Sequence, residues 1–297
     1  MILNFDTSNI LQSFSATWLP ATIQAAMLRL DRIHPEIQGN KWFKLKYNLQ
    51  AAEQAGKKRI LTFGGAYSNH LAAVAVACKL MQWPCTAIIR GERPPVLSYT
   101  LKKAGEIGME LQFISREYYS NKEQRDWEAM FPEHYIIPEG GHNALGAKGC
   151  EEILSLAPTA SFSHILCAVG TGTTLAGLIN AAKPGQQVWG ISALKGALSL
   201  QTEVAGLLNA GATSNWQLLH HFHEGGYGKI TPAVISFMNS FFTETGIPLD
   251  GVYTGKMMLA LKKLVEQGLI TEGDSVLCIH SGGLQGNLSL SEGVLCY

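Results

Sequence analysis

In QGNKWFK, residues 38–44, a lysine stands directly behind Gly-Asn where an amphipathic helical pattern begins. Lys41 has two readings: a solvated first-turn residue, or an amine nucleophile, a role lysine fills where desolvation or a neighbouring cation lowers its pKa. Three glycine-rich turns bear on the choice, FGGAYSNH at 63–70, PEGGHNALG at 138–146 and VGTGTTLAG at 169–177. In the third, Gly170 and Gly172 let the backbone curl round a ligand, and Thr171, Thr173 and Thr174 bring hydroxyl groups to phosphate oxygens. A phosphate site is expected there. A dinucleotide fingerprint fits less well, because GxGxxG would need glycine at Leu175.

Other chemistry finds less support. GVYTGKM at 251–257 has three residues between its glycines and Met257 where a P-loop needs Ser or Thr. There is no GxSxG nucleophile elbow. His220, His221, His223 and Glu224 are close in sequence, but on a strand only His221 and His223 would share a side, so no metal site is expected.

The elements that must position these residues alternate. KRILTF is followed by SNHLAAVAVACKLMQW, CTAIIR by PVLSYTLKKAGEIG, MELQFIS by a polar helical stretch, HYIIP by ALGAKGCEEILSLA and SHILCAV by TTLAGLINAA. QVWGISAL then leads into a helical run through Leu208, and DSVLCIH stands near the end. Short β-branched runs alternating with helices predict an α/β fold with parallel sheets covered by helices. Ligands of such sheets gather at the carboxyl ends of strands, where the three glycine turns lie.

Composition narrows the function. The 297 residues are 46% hydrophobic, enough for a sizeable core. The formal net charge is zero, which offers no basic field for nucleic acid or an anionic membrane, so a small molecule is the expected partner. The opening MILNFDTSNILQSF lacks a basic region leading into an apolar run, and no stretch approaches the roughly 20 apolar residues of a membrane span. Six widely spaced cysteines without a CxxC pair fit a reducing compartment, and a cytoplasmic protein is expected.

QGNKWFK, GGAYSNH, EGGHNALGAKG, VGTGTTLAG, GGYGK, DGVYTGK and CIHSGG follow in this order through almost the whole chain. Together they resemble the pyridoxal-phosphate enzymes that include D-cysteine desulfhydrase and 1-aminocyclopropane-1-carboxylate (ACC) deaminase, of the tryptophan-synthase β-like fold (fold type II). The resemblance implies pyridoxal 5'-phosphate as cofactor, Lys41 as its covalent anchor and the Gly170 to Thr174 turn as its phosphate site. It places Asn69 beside the phenolic oxygen of the cofactor ring, Ser68 at the substrate carboxylate, and Asn69 and His70 with Ser68 among the substrate-binding residues. Tyr227 and Tyr253 match positions flanking the substrate, where a phenol relays a proton or orients the amino acid. It also implies a large domain of residues 1–44 and 153–297, a small domain of 45–152, a cofactor cleft between them, and a homodimer.

Thr254 and Ser281 choose the branch. Deaminases of this group carry Glu and Leu there; desulfhydrases carry Thr at both. A hydroxyl cannot hold a charge on the ring nitrogen as a carboxylate does, so Thr254 toward the cofactor and Ser281 toward the substrate imply α,β-elimination from D-cysteine, giving pyruvate, sulfide and ammonia. The alternatives are ACC deamination, a D-serine-type dehydratase, or a non-catalytic protein that keeps the cofactor. Gln38, Phe43 and His142-Asn143 depart from the family pattern, and these departures are expected to reshape the substrate pocket.

Overall fold

A computed structural model describes residues 6–37, 39–212 and 215–297. Gln38 lies outside the described residues. The strands are β1 (Leu11–Ser13), β2 (Gln24–Arg29), β3 (Arg59–Gly64), β4 (Cys85–Arg90), β5 (Met109–Ile114), β6 (His134–Ile136), β7 (His164–Val169), β8 (Gln187–Ser192), β9 (Asn215–Leu219) and β10 (Ser275–His280). They form a six-stranded sheet in the order β1-β2-β10-β7-β8-β9 and a four-stranded sheet in the order β5-β4-β3-β6. Every pairing is parallel except that of β1 with β2.

Parallel strands covered on both faces read as unbroken apolar runs, and HILCAV of β7 is buried at every position. Its residues alternate between two cores. Ile165, Cys167 and Val169 face a core shared with the four-stranded sheet, where Ile60, Ala87 and Ile89 also lie. Leu166 and Ala168 face the helices Pro232–Thr245 and Thr254–Glu266, against Phe241, Met258 and Leu261. A third, smaller core of Leu61, Phe63, Ile88, Tyr119 and Trp127 covers the outer face of the four-stranded sheet.

Two helices start at motif residues. α1 (Lys41–Gln54) opens on Lys41 itself, and α2 (Asn69–Met81) opens on Asn69 with Ser68 as its N-cap, the Ser68 hydroxyl accepting from Leu71 N at 3.3 Å. α1 runs across the boundary expected at residue 44. The histidines expected on a strand follow β9 in a turn, so period-2 alternation does not apply to them. Among the described residues no three His, Cys, Asp or Glu side chains are grouped to hold a metal ion, and no helix is long and apolar enough to cross a membrane.

Candidate active site

A cavity of about 590 Å³ opens where β7, α1 and α2 bring their termini together. Its wall includes Lys41, Lys44, Ser68, Asn69, His70, Gly170, Thr171, Gly172, Thr174, Tyr227, Tyr253 and Ser281. Residues drawn from 41 to 281 thus meet in one space, which is of the size ligand pockets occupy.

Gly39 shows why Gly-Asn-Lys and His-Ser-Gly-Gly occur together. Its φ is +71°, and a Cβ there would lie 1.8 Å from the carbonyl oxygen of Ser281. The two segments touch backbone to backbone, with Asn40 N donating to Ser281 O at 3.2 Å. Asn40 then links both halves of the site: its Oδ1 accepts from Lys41 Nζ at 2.6 Å and its Nδ2 donates to Thr174 Oγ1 at 2.7 Å.

Lys41 is held at about pKa 7, first by burial and then by repulsion from the Lys44 ammonium. Its amine is therefore substantially neutral near pH 7, as a nucleophile requires. Lys44, one turn on, is buried, and its Nζ donates to Thr171 Oγ1 at 3.3 Å. Its pKa is also lowered by burial.

The Gly170 to Thr174 turn fits a phosphate group. Gly172 is the N-cap of the helix Thr173–Ala181 and offers no side-chain cap, so the first N–H groups of that helix have no intrahelical acceptor. The positive helix end and Lys44 thus converge on the cavity wall where Thr171 supplies a hydroxyl. Gly172 has φ +81°, and a Cβ would come within 2.6 Å of Val204, so a larger residue would strain the turn and displace Val204.

At the N-terminus of α2, Asn69 Oδ1 accepts from Gln285 Nε2 at 2.8 Å. His70 is buried, with Nε2 2.8 Å from Thr62 Oγ1, and Thr62 donates to Ile137 O. That chain makes Nε2 the protonated nitrogen and leaves Nδ1 without a hydrogen-bond partner among the described residues. Burial, with Lys44 and Lys41 nearby, lowers the pKa of His70 to about 3, so the ring is neutral at any working pH.

Tyr253 stands against Gly170, whose Cβ would lie 3.1 Å from the phenol oxygen. Its ring meets Tyr227 edge-on, centroids 6.2 Å apart, and Lys41 Nζ lies 6.0 Å from its centroid. Burial pushes the Tyr253 phenol well above its ordinary pKa. Tyr227 is 51% exposed and stands at the mouth.

Two expected residues stand behind the wall. Thr173 bonds His142 Nδ1 at 3.0 Å and Thr171 Oγ1 at 3.1 Å, so its side chain supports the turn and does not line the cavity. Thr254 is fully buried as the first residue of its helix. Its hydroxyl donates to Asp250 Oδ2 at 2.7 Å and accepts from Asp250 N at 2.7 Å, which consumes the hydroxyl proton a ring nitrogen would need. The departures among the described residues also lie outside the wall: Phe43 is in the core, His142 backs Thr173, and Asn143 caps the helix Ala144–Glu151 through Gly146 N.

Sequence reading missed Lys44, Asn40 and Gln285. Lys44 had a signal, since i and i+3 share a helix face. Gln285 had none, because its partner is 216 residues away.

A family model described as pyridoxal-phosphate dependent enzyme matches residues 19–282. The chain is 30% identical over 303 residues to the bifunctional mitochondrial D-cysteine desulfhydrase/1-aminocyclopropane-1-carboxylate deaminase of Arabidopsis thaliana, covering 90% of this chain and 74% of that one. It is 26% identical over 287 residues to the D-cysteine desulfhydrase of Salmonella newport, covering 86% of each. The crystal structure of an ACC deaminase homologue superposes with a TM-score of 0.78 at 27% identity, covering 93% of this chain and 90% of that chain. With two largely parallel sheets flanked by helices, and a lysine, a glycine-threonine turn and two tyrosines around one cavity, the chain belongs to the pyridoxal-phosphate-dependent enzymes, in the group of D-cysteine desulfhydrase and ACC deaminase.

Proposed function

We propose that the protein is a lyase that eliminates the β-substituent of a small amino acid, with D-cysteine as substrate and pyruvate, sulfide and ammonia as products. Pyridoxal phosphate, when bound, withdraws electrons from the α-carbon of an amino acid joined to it, so that the α-proton becomes acidic and a β-substituent can leave. Lys41 Nζ is the covalent anchor and, once released, the base that takes the α-proton. Lys44, Thr171 and the uncapped helix end at Gly172 hold the phosphate. Ser68 and the N-terminal N–H groups of α2 receive the substrate carboxylate. Asn69 serves the cofactor's phenolic oxygen, and His70 lines the substrate side of the cavity wall. Tyr253 donates a proton or hydrogen bond inside the cavity, and Tyr227 orients the substrate at its mouth.

The observation favouring elimination is the distribution of acids on the wall. The carboxylates that line the cavity, Glu139 and Glu203, come from segments packed beside Thr171 and Gly172. At Ser281 the wall carries a hydroxyl, and Thr254 behind it is committed to Asp250. The cofactor's ring nitrogen then gains no carboxylate from either position, which suits a substrate with a good leaving group. The names of the relatives favour a second reading, ring-opening deamination of ACC.

Pyruvate and sulfide release from D-cysteine by the loaded protein tests the proposal, with L-cysteine, D-serine and ACC alongside. Release of both products from D-cysteine supports it; 2-oxobutanoate from ACC alone replaces it with the second reading. We extend the proposal to the division of the chain into residues 1–44 with 153–297 and residues 45–152. The four-stranded sheet falls wholly within the latter, which supports it. Assembly as a homodimer in the cytoplasm completes the reading and rests on the family resemblance, with light scattering as its check.

A further inference from the structure

Asn69 and Gln285 come from opposite parts of the molecule. Asn69 begins α2, which follows β3 of the four-stranded sheet, and Gln285 lies in the short 3-10 helix Leu284–Ser289 that follows β10 of the six-stranded sheet. The bond from Gln285 Nε2 to Asn69 Oδ1, 2.8 Å, ties the two sheets together at the cavity edge. Asn69 lines the cavity, whereas Gln285 does not. Gly283 closes the same corner: with φ +94°, a Cβ there would lie 2.9 Å from Asn69 Nδ2.

A carboxamide has one accepting and one donating end of nearly equal size, so shape alone does not fix which end faces a ligand. Here the accepting end is occupied by Gln285, while Nδ2 donates to no protein group among the described residues. We propose that Gln285 is a positioning residue that selects the donating end of Asn69 for the ligand. An anionic or partly anionic oxygen in the cavity then meets N–H rather than a second oxygen. This rests on the reading that Asn69 stands beside the cofactor's phenolic oxygen. Gln285 acts through Asn69 and touches neither cofactor nor substrate.

The same contact makes the site depend on how the two sheets sit against each other. Only when the segment after β10 reaches α2 is Asn69 turned correctly, so the donor is presented when the cleft edge is in place.

The test is the pH midpoint of the visible absorption band of the cofactor-loaded protein, measured without substrate. A donor to the phenolic oxygen stabilises its deprotonated form and lowers that midpoint, so Asn69→Ala should raise it by about one pH unit. Gln285→Ala, which frees the amide to turn, should raise it by part of that amount. Gln285→Glu should raise it at least as far as Asn69→Ala, because a carboxylate accepts from Nδ2 and turns the amide oxygen toward the cavity. In an Asn69→Ala background, Gln285→Ala should move the midpoint no further, and Gln285→Glu should move it only by its through-space charge. A purely structural role would show as a changed unfolding midpoint without this ordering of band shifts. A shift with Asn69→Ala but none with either Gln285 variant overturns the proposal and leaves the Asn69 reading standing. No shift with Asn69→Ala overturns both.

Discussion

Lys41 Nζ donates to Asn40 Oδ1 at 2.6 Å, and the same Asn40 donates to Thr174 Oγ1 at 2.7 Å. Lys41, the anchor in the proposed function, is thereby placed by a residue that also grips the helix Thr173–Ala181. Lys41→Ala should remove the visible band of a lysine-bound cofactor and all measurable turnover while the protein stays folded, because the side chain lines the cavity and belongs to none of the three hydrophobic cores. Circular dichroism and the absorption spectrum check both parts. A normal band in the variant would remove Lys41 from its role.

The lowered pKa of Lys41 has a direct kinetic reading. A lysine at its usual value would hold a neutral amine only well above pH 9; at about 7 the neutral fraction rises through the neutral range and then levels. The rate at which apoprotein captures the cofactor should therefore climb about tenfold per unit below the midpoint and flatten above it. Lys44→Met removes a neighbouring cation, makes the Lys41 ammonium easier to keep, and moves the midpoint upward. A midpoint that stays or falls would show that the Lys44 charge does not act on Lys41.

Thr254→Val separates the two roles considered for that residue. The isosteric change deletes a donor to Asp250 Oδ2 and an acceptor for Asp250 N, both buried, and should cost about 1–3 kcal/mol by urea unfolding. The cofactor band should not move, because the side chain does not line the cavity. A shifted band at unchanged stability would restore the ring-nitrogen role.

Gly39→Ala tests the backbone contact between the two motifs. The left-handed φ of +71° and the approach to Ser281 O act together, and about 3 kcal/mol or more should be lost along with the cofactor band. Gly56 has the same φ of +71°, but a methyl group there would meet no heavy atom within 4 Å, so Gly56→Ala should cost only about 1 kcal/mol. Equal losses at the two glycines would mean that conformation, and not contact with Ser281, is what Gly39 provides.

The alternation of strands and helices was legible in the sequence because buried parallel strands such as HILCAV leave long apolar runs with glycine turns behind them. The cavity was legible where a motif sits at an element's first turn, as with Lys41, Ser68 and Asn69. Side-chain direction was not. Thr173 and Thr171 share one turn, yet one backs the wall and the other forms it, and Thr254 follows Tyr253 directly but points into Asp250. Adjacent residues at a helix start diverge by about 100°, so of Tyr253 and Thr254 the cavity receives only the first. β9 and the pairing of Asn69 with Gln285 depend on partners far along the chain, which local pattern cannot supply.

In the proposed function Tyr253 handles a proton without ever carrying the charge. Its phenol lies against Gly170, its ring is 6.0 Å from Lys41 Nζ, and burial holds its pKa well above the ordinary tyrosine value. In the working pH range it is therefore neutral, a donor and not a phenolate base. Tyr253→Phe keeps the ring packing against Tyr227 and removes only the hydroxyl, so kcat should fall about a hundredfold with KM changed by no more than a few-fold. The wild-type kcat should show no ionisation of Tyr253 up to about pH 9, because a raised phenol pKa lies beyond it. Tyr227→Phe should have the smaller effect, since that ring is half exposed at the mouth. A rise in KM at constant kcat would instead make Tyr253 a residue that binds substrate without taking part in the proton's path, and an unchanged kcat and KM would remove it from the reaction altogether.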